Sequence, residues 1–374
     1  MTNRNDRRSN PNKPDENLMV KWCRYFKRYI HRNKNLQKDL AENYCYFEES
    51  ENSKISTKRQ TRPAKIGLAL GCGGAKSLAH IGVLKVLDKH NIPIHAIAGT
   101  SMGSYIGALW ATGHSNEQMY DLAKEMIDEG SLKRLADPII PPIKGMFYGN
   151  KVKAHLARSI GDVSFEDLDR KFLVIAANLN NYERVVFRSG SVIDAVHASC
   201  AMPGIIAPVE IDGKLCVDGG VADPVPVGAL RKYGNVDKII AVSTTIKLEE
   251  IDTLDTATAT AEREEKINQS WWKNKLTSLN TKLNPTAPGN MLDSLSRSLT
   301  IAQIRIAYDA CRRADVAIYP VSQDSEWHEY SNFEKLIKLG EETALSQLDS
   351  LKKLLDPIEV SNHNKQQTKN EAKQ

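Results

Sequence analysis

The chain has 374 residues, enough for one large hydrophobic core or two modest ones, and its 41% hydrophobic and 26% charged residues are ordinary for a soluble globular protein. No stretch approaches the roughly 20 apolar residues that a bilayer-spanning helix needs, and the polar, Arg-rich start lacks the apolar core of a secretory signal. The six cysteines show neither metal-ligand spacing nor a disulfide rhythm, so we expect the reducing cytoplasm and no metal or other cofactor.

The net charge of +5 comes from the N-terminal arm, residues 1–64, which carries 15 Lys/Arg against 8 Asp/Glu. Most of the arm is polar, but residues 18–31 predict a basic amphipathic helix with one aromatic face: Leu18, Trp22, Tyr25, Phe26 and Tyr29. Two interpretations stand equally, peripheral contact with the anionic inner face of the membrane or packing against the folded domain. Basic arms also bind nucleic acids, but we expect no such partner here.

Alternating strands and helices begin at residue 65. A strand at 65–70, a helix at 77–90 and a second strand at 95–98 make a βαβ unit, and further helices begin at 101 and 116. Strands are also predicted at 172–177, 184–187, 209–211, 215–217, 238–242 and 316–320, and helices at 292–313 and 331–355. This alternation predicts a three-layer α/β fold with a mainly parallel central sheet and helices on both faces.

The predicted domain, residues 65–355, has one interruption and a polar end. Residues 246–290 are rich in Thr, Ala, Glu and Lys, a composition that predicts an insertion on the surface of the domain. Residues 356–374 are polar throughout and predict a disordered tail.

The strongest chemical signal is the pentapeptide Gly99-Thr100-Ser101-Met102-Gly103, which follows a predicted strand and opens a predicted helix. In a nucleophile elbow the turn is so sharp that side chains in place of Gly99 and Gly103 would collide with the sheet. The serine hydroxyl then lies at a helix N-terminus, where backbone N–H groups favour negative charge. An ordinary tight turn is the alternative, but the strand–turn–helix context favours a nucleophile at Ser101.

A second glycine-rich turn, Gly71-Cys72-Gly73-Gly74-Ala75-Lys76, also joins a strand to a helix. A dinucleotide fingerprint would need glycine at Lys76 and an acid at the end of the second strand, where none occurs. A phosphate-binding P-loop would need glycines at Leu70 and Ala75. An oxyanion hole for an intermediate formed at Ser101 needs no further residue and is the remaining interpretation.

A serine nucleophile needs a base, and the downstream histidines do not lie in strand-end loops rich in turn signals. His80 falls inside a predicted helix and is expected to pack or cap. Asp218 ends a predicted strand and precedes Gly219-Gly220, a turn that only glycines permit. An acid in an Asp-Gly turn is most often structural, but Ser101 has no other candidate base.

Together these segments resemble the three signatures of patatin-like phospholipases. The surrounding sequences 79–84, 198–204 and 224–227 resemble the bacterial branch related to neuropathy target esterase. The resemblance covers about residues 65–245 closely and 291–355 loosely. It implies a Ser101–Asp218 dyad without histidine, hydrolysis of fatty-acyl esters of phospholipids or lysophospholipids without a metal, and an oxyanion hole. The hole would be built from the following residues: Gly71, Cys72, Gly73, Gly74 and Met102.

Two residues depart from the family pattern: Ser77 stands where glycine is usual, and Asp223 where asparagine is common. We expect Ser77 to cap a helix. Lys76 is a candidate contact for a lipid phosphate, with a solvated surface lysine as the alternative. A different class of function also stays open, because a patatin-like adaptor at a membrane surface would keep the same motifs with little turnover.

Overall fold

Five short runs rich in Val, Ile, Leu and Ala form the central strands of the protein. The structure is a computed structural model, and it describes residues 61–126, 135–248, 291–321 and 330–359. Within these ranges the strands are β1 Thr61–Arg62, β2 Ile66–Leu70, β3 Ile94–Thr100, β4 Lys171–Asn178, β5 Arg184–Phe187, β6 Val209–Ile211, β7 Lys214–Asp218, β8 Lys238–Val242, β9 Val316–Ile318 and β10 Ile358–Glu359. The helices are α1 Ala79–Lys89, α2 Met102–Ala111, α3 Asn116–Glu125, α4 Asn150–Ile160, α5 Val192–Ser199, α6 Val227–Ala229, α7 Met291–Cys311, α8 Phe333–Ser346 and α9 Leu348–Lys353. No helix within these ranges is both long and apolar enough to cross a membrane.

The main sheet has the strand order β6-β7-β4-β3-β2-β8-β9, with β5 paired to β4 outside this path. Strands β4, β3, β2, β8 and β9 run parallel, whereas β5 and β7 pair with β4 in the antiparallel sense and β6 and β7 form a hairpin. In a parallel sheet the carboxyl ends of the strands meet at one edge. The turns after β2 and β3, which carry both glycine-rich motifs, therefore lie side by side.

Side chains on the two faces of the sheet belong to different core clusters. The larger residues of β2, such as Leu68 and Leu70, join the cluster formed with α1, α2, α3 and α8. The alternate residue Ala69 joins a second cluster that includes residues of α6 and α7. Because successive strand residues point to opposite faces, the sheet is covered on both sides. The prediction of a three-layer α/β fold with a mainly parallel sheet is confirmed.

Several predicted boundaries are wrong. Residues 61–62, assigned to the arm, pair with 358–359, assigned to the disordered tail, in a small antiparallel sheet. The predicted closing helix 331–355 is two helices separated at Gln347, and α4 and α5 lie where no helix was predicted. The predicted amphipathic helix 18–31 and most of the predicted insertion, residues 249–290, lie outside the described residues.

Candidate active site

Ser101 occupies the turn between β3 and α2. Its φ of 54° and ψ of −129° are unusual for a residue with a side chain, as a nucleophile elbow requires. The amides of Ser104 and Tyr105 donate to the Ser101 carbonyl at 2.8 and 3.2 Å and start helix α2 directly behind the serine. The strained turn is thus held by the first turn of the helix.

The two motif glycines of this turn are sterically required, for different reasons. A Cβ on Gly99 would lie 2.5 Å from the Cα of Ser104, inside the elbow itself. A Cβ on Gly103 would lie 2.4 Å from the Gly71 carbonyl oxygen and 2.5 Å from that of Leu70. Gly103 therefore allows α2 to touch the end of β2, where the other glycine-rich loop begins.

The Ser101 hydroxyl donates to the Asp218 carboxylate, with 2.5 Å between Oγ and Oδ2. Both side chains are buried, Ser101 with 7% and Asp218 with 5% of its surface exposed. The other carboxylate oxygen, Oδ1, accepts from the Gly220 amide at 2.7 Å. Burial raises the pKa of Asp218 to about 6, although both hydrogen bonds oppose that rise. The structure thus joins a hydroxyl and a carboxylate that lie 117 positions apart in the chain.

The turn that presents Asp218 depends on the two glycines after it. A Cβ on Gly219 would lie 2.2 Å from the carbonyl oxygen of Ile175, in β4. A Cβ on Gly220 would lie 2.9 Å from the Cys72 sulfur. These contacts place the aspartate turn against both β4 and the first glycine-rich loop.

The first loop supplies fewer candidate oxyanion donors than predicted. The Gly71 amide donates to the Val242 carbonyl and the Cys72 amide to the Pro224 carbonyl, both at 2.9 Å. These two amides anchor the loop and are not free to bind an oxyanion. The prediction that Gly71 and Cys72 contribute donors to the oxyanion hole is therefore wrong. Among the described residues, the amides of Gly73, Gly74 and Met102 have no protein acceptor.

The carbonyl side of the same loop is held by side chains. The Gly71 carbonyl accepts from His80 Nε2 at 2.8 Å and from the Ser77 hydroxyl at 3.4 Å. The Cys72 carbonyl accepts from the Thr244 hydroxyl at 2.7 Å. Since burial lowers the pKa of His80 to about 4, its ring is neutral and Nε2 carries the proton. His80 therefore packs as expected, whereas the predicted helix cap by Ser77 is wrong.

The middle of the loop has no room for side chains. A Cβ on Gly73 would lie 2.1 Å from the Thr244 hydroxyl oxygen. Gly74 has a φ of +58°, in the left-handed region that favours glycine. Both positions therefore keep a bare backbone, which a ligand atom can approach closely.

Ser199 is the residue of this site whose role the sequence did not indicate. Its hydroxyl accepts from the Ser101 amide at 2.8 Å and donates to the Ile175 carbonyl at 2.5 Å. Ile175 is the residue against which Gly219 packs. Ser199 thus ties the nucleophile turn to β4 and through it to the turn of Asp218.

Asp223, one of the two departures from the family pattern, lies in an ion pair. Asp223 is buried and forms an ion pair with Arg184, with 2.5 Å between Oδ2 and the guanidinium. Burial raises the pKa of Asp223, and the Arg184 charge opposes that rise.

Lys76 is half-buried in the 3₁₀ turn Gly74–Leu78, and its contact with a phosphate stays a prediction.

Neither Ser101 nor Asp218 bonds to a histidine in the part of the chain that the structure describes. His155 contacts Tyr105, and His197 Nε2 is buried without a partner. No cluster of potential metal ligands occurs among the described residues. The base within reach of the serine hydroxyl is the carboxylate.

The segment that carries this site is similar in sequence to known proteins. Residues 68–231 match the family model of patatin-like phospholipases. An uncharacterised NTE family protein of Mycobacterium tuberculosis is 37% identical over 185 residues, 50% of this chain and 50% of that protein. Lysophospholipase NTE1 of Candida albicans is 31% identical over 178 residues, 47% of this chain and 13% of that protein.

The chain spans about half the length of the mycobacterial relative and a much smaller part of the fungal one. The crystal structure of VipD from Legionella pneumophila covers 86% of this chain and 74% of its own at 13% identity, with a TM-score of 0.40. The matched segment contains the glycine-rich loop, the elbow and the aspartate turn, so the predicted family is confirmed. Residues 68–231 form a patatin-like phospholipase domain related to the NTE family.

Proposed function

We propose that this protein is a serine acyl hydrolase that cleaves fatty-acyl esters of phospholipids or lysophospholipids through a Ser101–Asp218 dyad. The observation that carries the proposal is the hydrogen bond from the Ser101 hydroxyl to the buried Asp218 carboxylate. A nucleophile within bonding reach of a base that is itself oriented by a third group is the signature of covalent catalysis. Here the orienting group is the Gly220 amide.

In the acylation step Ser101 Oγ attacks the ester carbonyl carbon, and its proton passes to Asp218 Oδ2. The carbonyl oxygen becomes an oxyanion that the amides of Gly73, Gly74 and Met102 stabilise. Asp218 then returns the proton to the leaving alcohol as the ester C–O bond breaks. In the second half Asp218 takes a proton from water, which attacks the acyl-enzyme, and Ser101 regains its proton as the fatty acid leaves.

The raised pKa of Asp218 suits this double role. A carboxylate with an ordinary pKa is a weak base for an alcohol, whereas burial brings the Asp218 pKa closer to neutrality. The positive end of helix α2 and the amide donors offset the negative charge that develops on the substrate. The chain thus supplies both the base and the anion stabilisation.

Named relatives support the proposed substrate class. The Candida albicans and Aspergillus fumigatus relatives are named lysophospholipases. Their similarity to this chain lies in the segment that carries the dyad, so a fatty-acyl ester of a lysophospholipid or phospholipid is the substrate class we assign.

A fluorophosphonate probe tests the nucleophile directly. We expect the wild-type chain to form a covalent adduct on the peptide that contains Ser101, and the Ser101→Ala variant to form none and to hydrolyse no lysophosphatidylcholine. Ser159→Ala is the matched control, because the Ser159 hydroxyl donates to carbonyls of its own helix and belongs to neither motif of the site. Mass spectrometry locates the adduct. A folded wild-type chain that takes no label would favour the adaptor function over hydrolysis.

The pH dependence follows from the Asp218 carboxylate. Only the ionised form accepts the Ser101 proton, so kcat/KM on a soluble ester should be half-maximal near pH 6 and fall tenfold per pH unit below it. A profile that stays flat down to pH 4.5 would show that Asp218 keeps an ordinary pKa and would contradict the proposed desolvated base.

A further inference from the structure

A short hairpin at residues 138–148, just before α4, presents an apolar tip. In this 138–148 hairpin, Ile140 and Ile143 have 86% and 82% of their surface exposed. Pro141 and Pro142 lie exposed between them, so four consecutive residues of the tip show apolar side chains to solvent. Lys144 follows, also exposed. Contiguous exposed apolar side chains, unlike single scattered ones, mark protein or membrane interaction sites.

The base of the 138–148 hairpin is firmly bonded. The Ile139 amide donates to the Met146 carbonyl at 2.9 Å, and the Tyr148 amide to the Asp137 carbonyl at 3.0 Å. The Asp137 carboxylate in turn accepts from the first amides of the α4 region, Gly149 at 2.9 Å and Asn150 at 2.8 Å. The exposed tip is therefore presented by a fixed backbone.

The hairpin is also continuous with the segment that holds the dyad. Its second arm bonds to residues 204–207: the Phe147 amide donates to the Ile205 carbonyl, and the Ala207 amide to the Phe147 carbonyl, both at 2.9 Å. A few residues earlier, the Ala201 carbonyl accepts from the Asp218 amide at 2.9 Å. The segment 201–207 thus bonds to Asp218 at one end and to the hairpin at the other.

We propose that the 138–148 hairpin inserts its Ile140–Ile143 tip into the surface of a lipid bilayer and so docks the active site on its substrate. This inference rests on the proposed lipid ester hydrolysis and names the surface that the enzyme works on. Isoleucine side chains with a lysine beside them suit the boundary between acyl chains and headgroups, where apolar groups are buried and cations face phosphates. Because Ser101 is buried, an ester must leave the bilayer to reach it, and the inserted tip would hold the protein at the surface where that ester lies.

Vesicle partitioning tests the proposal on the full chain. The double variant Ile140→Ser/Ile143→Ser, made in the Ser101→Ala background to avoid hydrolysis, should bind phosphatidylcholine vesicles about tenfold or more weakly in co-sedimentation. The matched control is Leu355→Ser, another partly exposed apolar residue, 38% exposed. It lies three residues before β10, which pairs with β1 in the small sheet that precedes the amino end of β2. Equal vesicle binding by the double variant and the control would overturn the proposal.

A label at the tip reports on insertion separately from overall binding. We would replace Ile143 by Cys, with Cys23 and Cys45 changed to Ser, and attach a fluorophore whose emission shifts to the blue in an apolar medium. A blue shift on vesicles at position 143, with none at a labelled Leu355→Cys, is expected. No shift in vesicle-bound protein, or no vesicle binding at all, would overturn the proposal.

The proposed chemistry is checked separately from this docking. The Ile140→Ser/Ile143→Ser variant with Ser101 intact should hydrolyse a short, water-soluble ester at the wild-type rate and lose activity only on vesicles. If the wild type hydrolyses no soluble ester, the proposed function fails, whereas the vesicle and label experiments still decide the role of the hairpin.

Discussion

Asp218→Asn is expected to lower kcat on a soluble ester by about 10²–10⁴-fold while the protein stays folded. An amide at position 218 can still accept the Gly220 hydrogen bond, but it cannot take the proton from Ser101. The loss should therefore appear in kcat rather than in KM, because substrate contacts are unchanged. Steady-state kinetics with active-site titration of the wild type would measure it.

The same substitution should stabilise the fold above pH 6. The folded-state pKa of Asp218 is raised from 3.8 to about 6, so burial stabilises the protonated form, and this contribution is lost as the pH rises through 6. Ionisation then costs on the order of 3 kcal/mol, part of which a neutral asparagine avoids. We expect a higher Tm for Asp218→Asn than for the wild type at pH 8, and a difference that shrinks towards pH 4.

Asp223→Asn is the matched control for this prediction. Asp223 is also buried and lies five positions from Asp218, but its carboxylate pairs with Arg184 rather than with the serine. Its replacement should leave kcat close to the wild-type value. Equal losses of activity in the two variants would mean that any change in this turn disables the site, and that Asp218 has no special role as a base.

The positions of Ser101 and Asp218, the proposed dyad, could be predicted because each motif lies at the end of a strand. Ser101 follows β3 and Asp218 ends β7, and the glycines around both residues indicate turns too tight for side chains. The strands themselves follow from short, continuous apolar runs such as β2 and β8. Fold class and dyad thus depend on local patterns that a single sequence carries.

The remaining features depend on partners that lie far away in the chain. The amides of Gly71 and Cys72 donate to the carbonyls of Val242 and Pro224, more than 150 residues later in the chain. Which amides are left to bind an oxyanion could therefore not be predicted from the loop sequence alone. Ser199 bonds to the elbow from a helix that the sequence did not predict. Likewise, residues 358–359 form a strand only because 61–62 are available to pair with them.

Gly103→Ala is expected to disable the enzyme without touching the dyad. The added Cβ would lie 2.4 and 2.5 Å from two backbone carbonyl oxygens, those of Gly71 and Leu70, and neither can rotate away as a side chain could. Either α2 or the end of β2 must move, which should cost about 1–3 kcal/mol of stability. Because β2 leads into the loop of Gly73 and Gly74, the movement should also lower kcat by more than about tenfold, since misplaced oxyanion donors are costly.

Gly107→Ala, one helical turn later, is the control that separates this local clash from a general effect of replacing glycine by alanine in α2. A Cβ at position 107 would lie 3.1 Å from the Phe172 ring, a side chain that can shift, and alanine gains up to about 1 kcal/mol of helix propensity over glycine. We therefore expect Gly107→Ala to keep a near-normal Tm, kcat and fluorophosphonate labelling rate, and Gly103→Ala to lose all three. Since Ser101 and Asp218 are intact in both variants, a difference between them locates the loss in the contact between the elbow helix and the glycine-rich loop. Similar behaviour of the two variants would instead show that this contact does not set the position of the oxyanion donors.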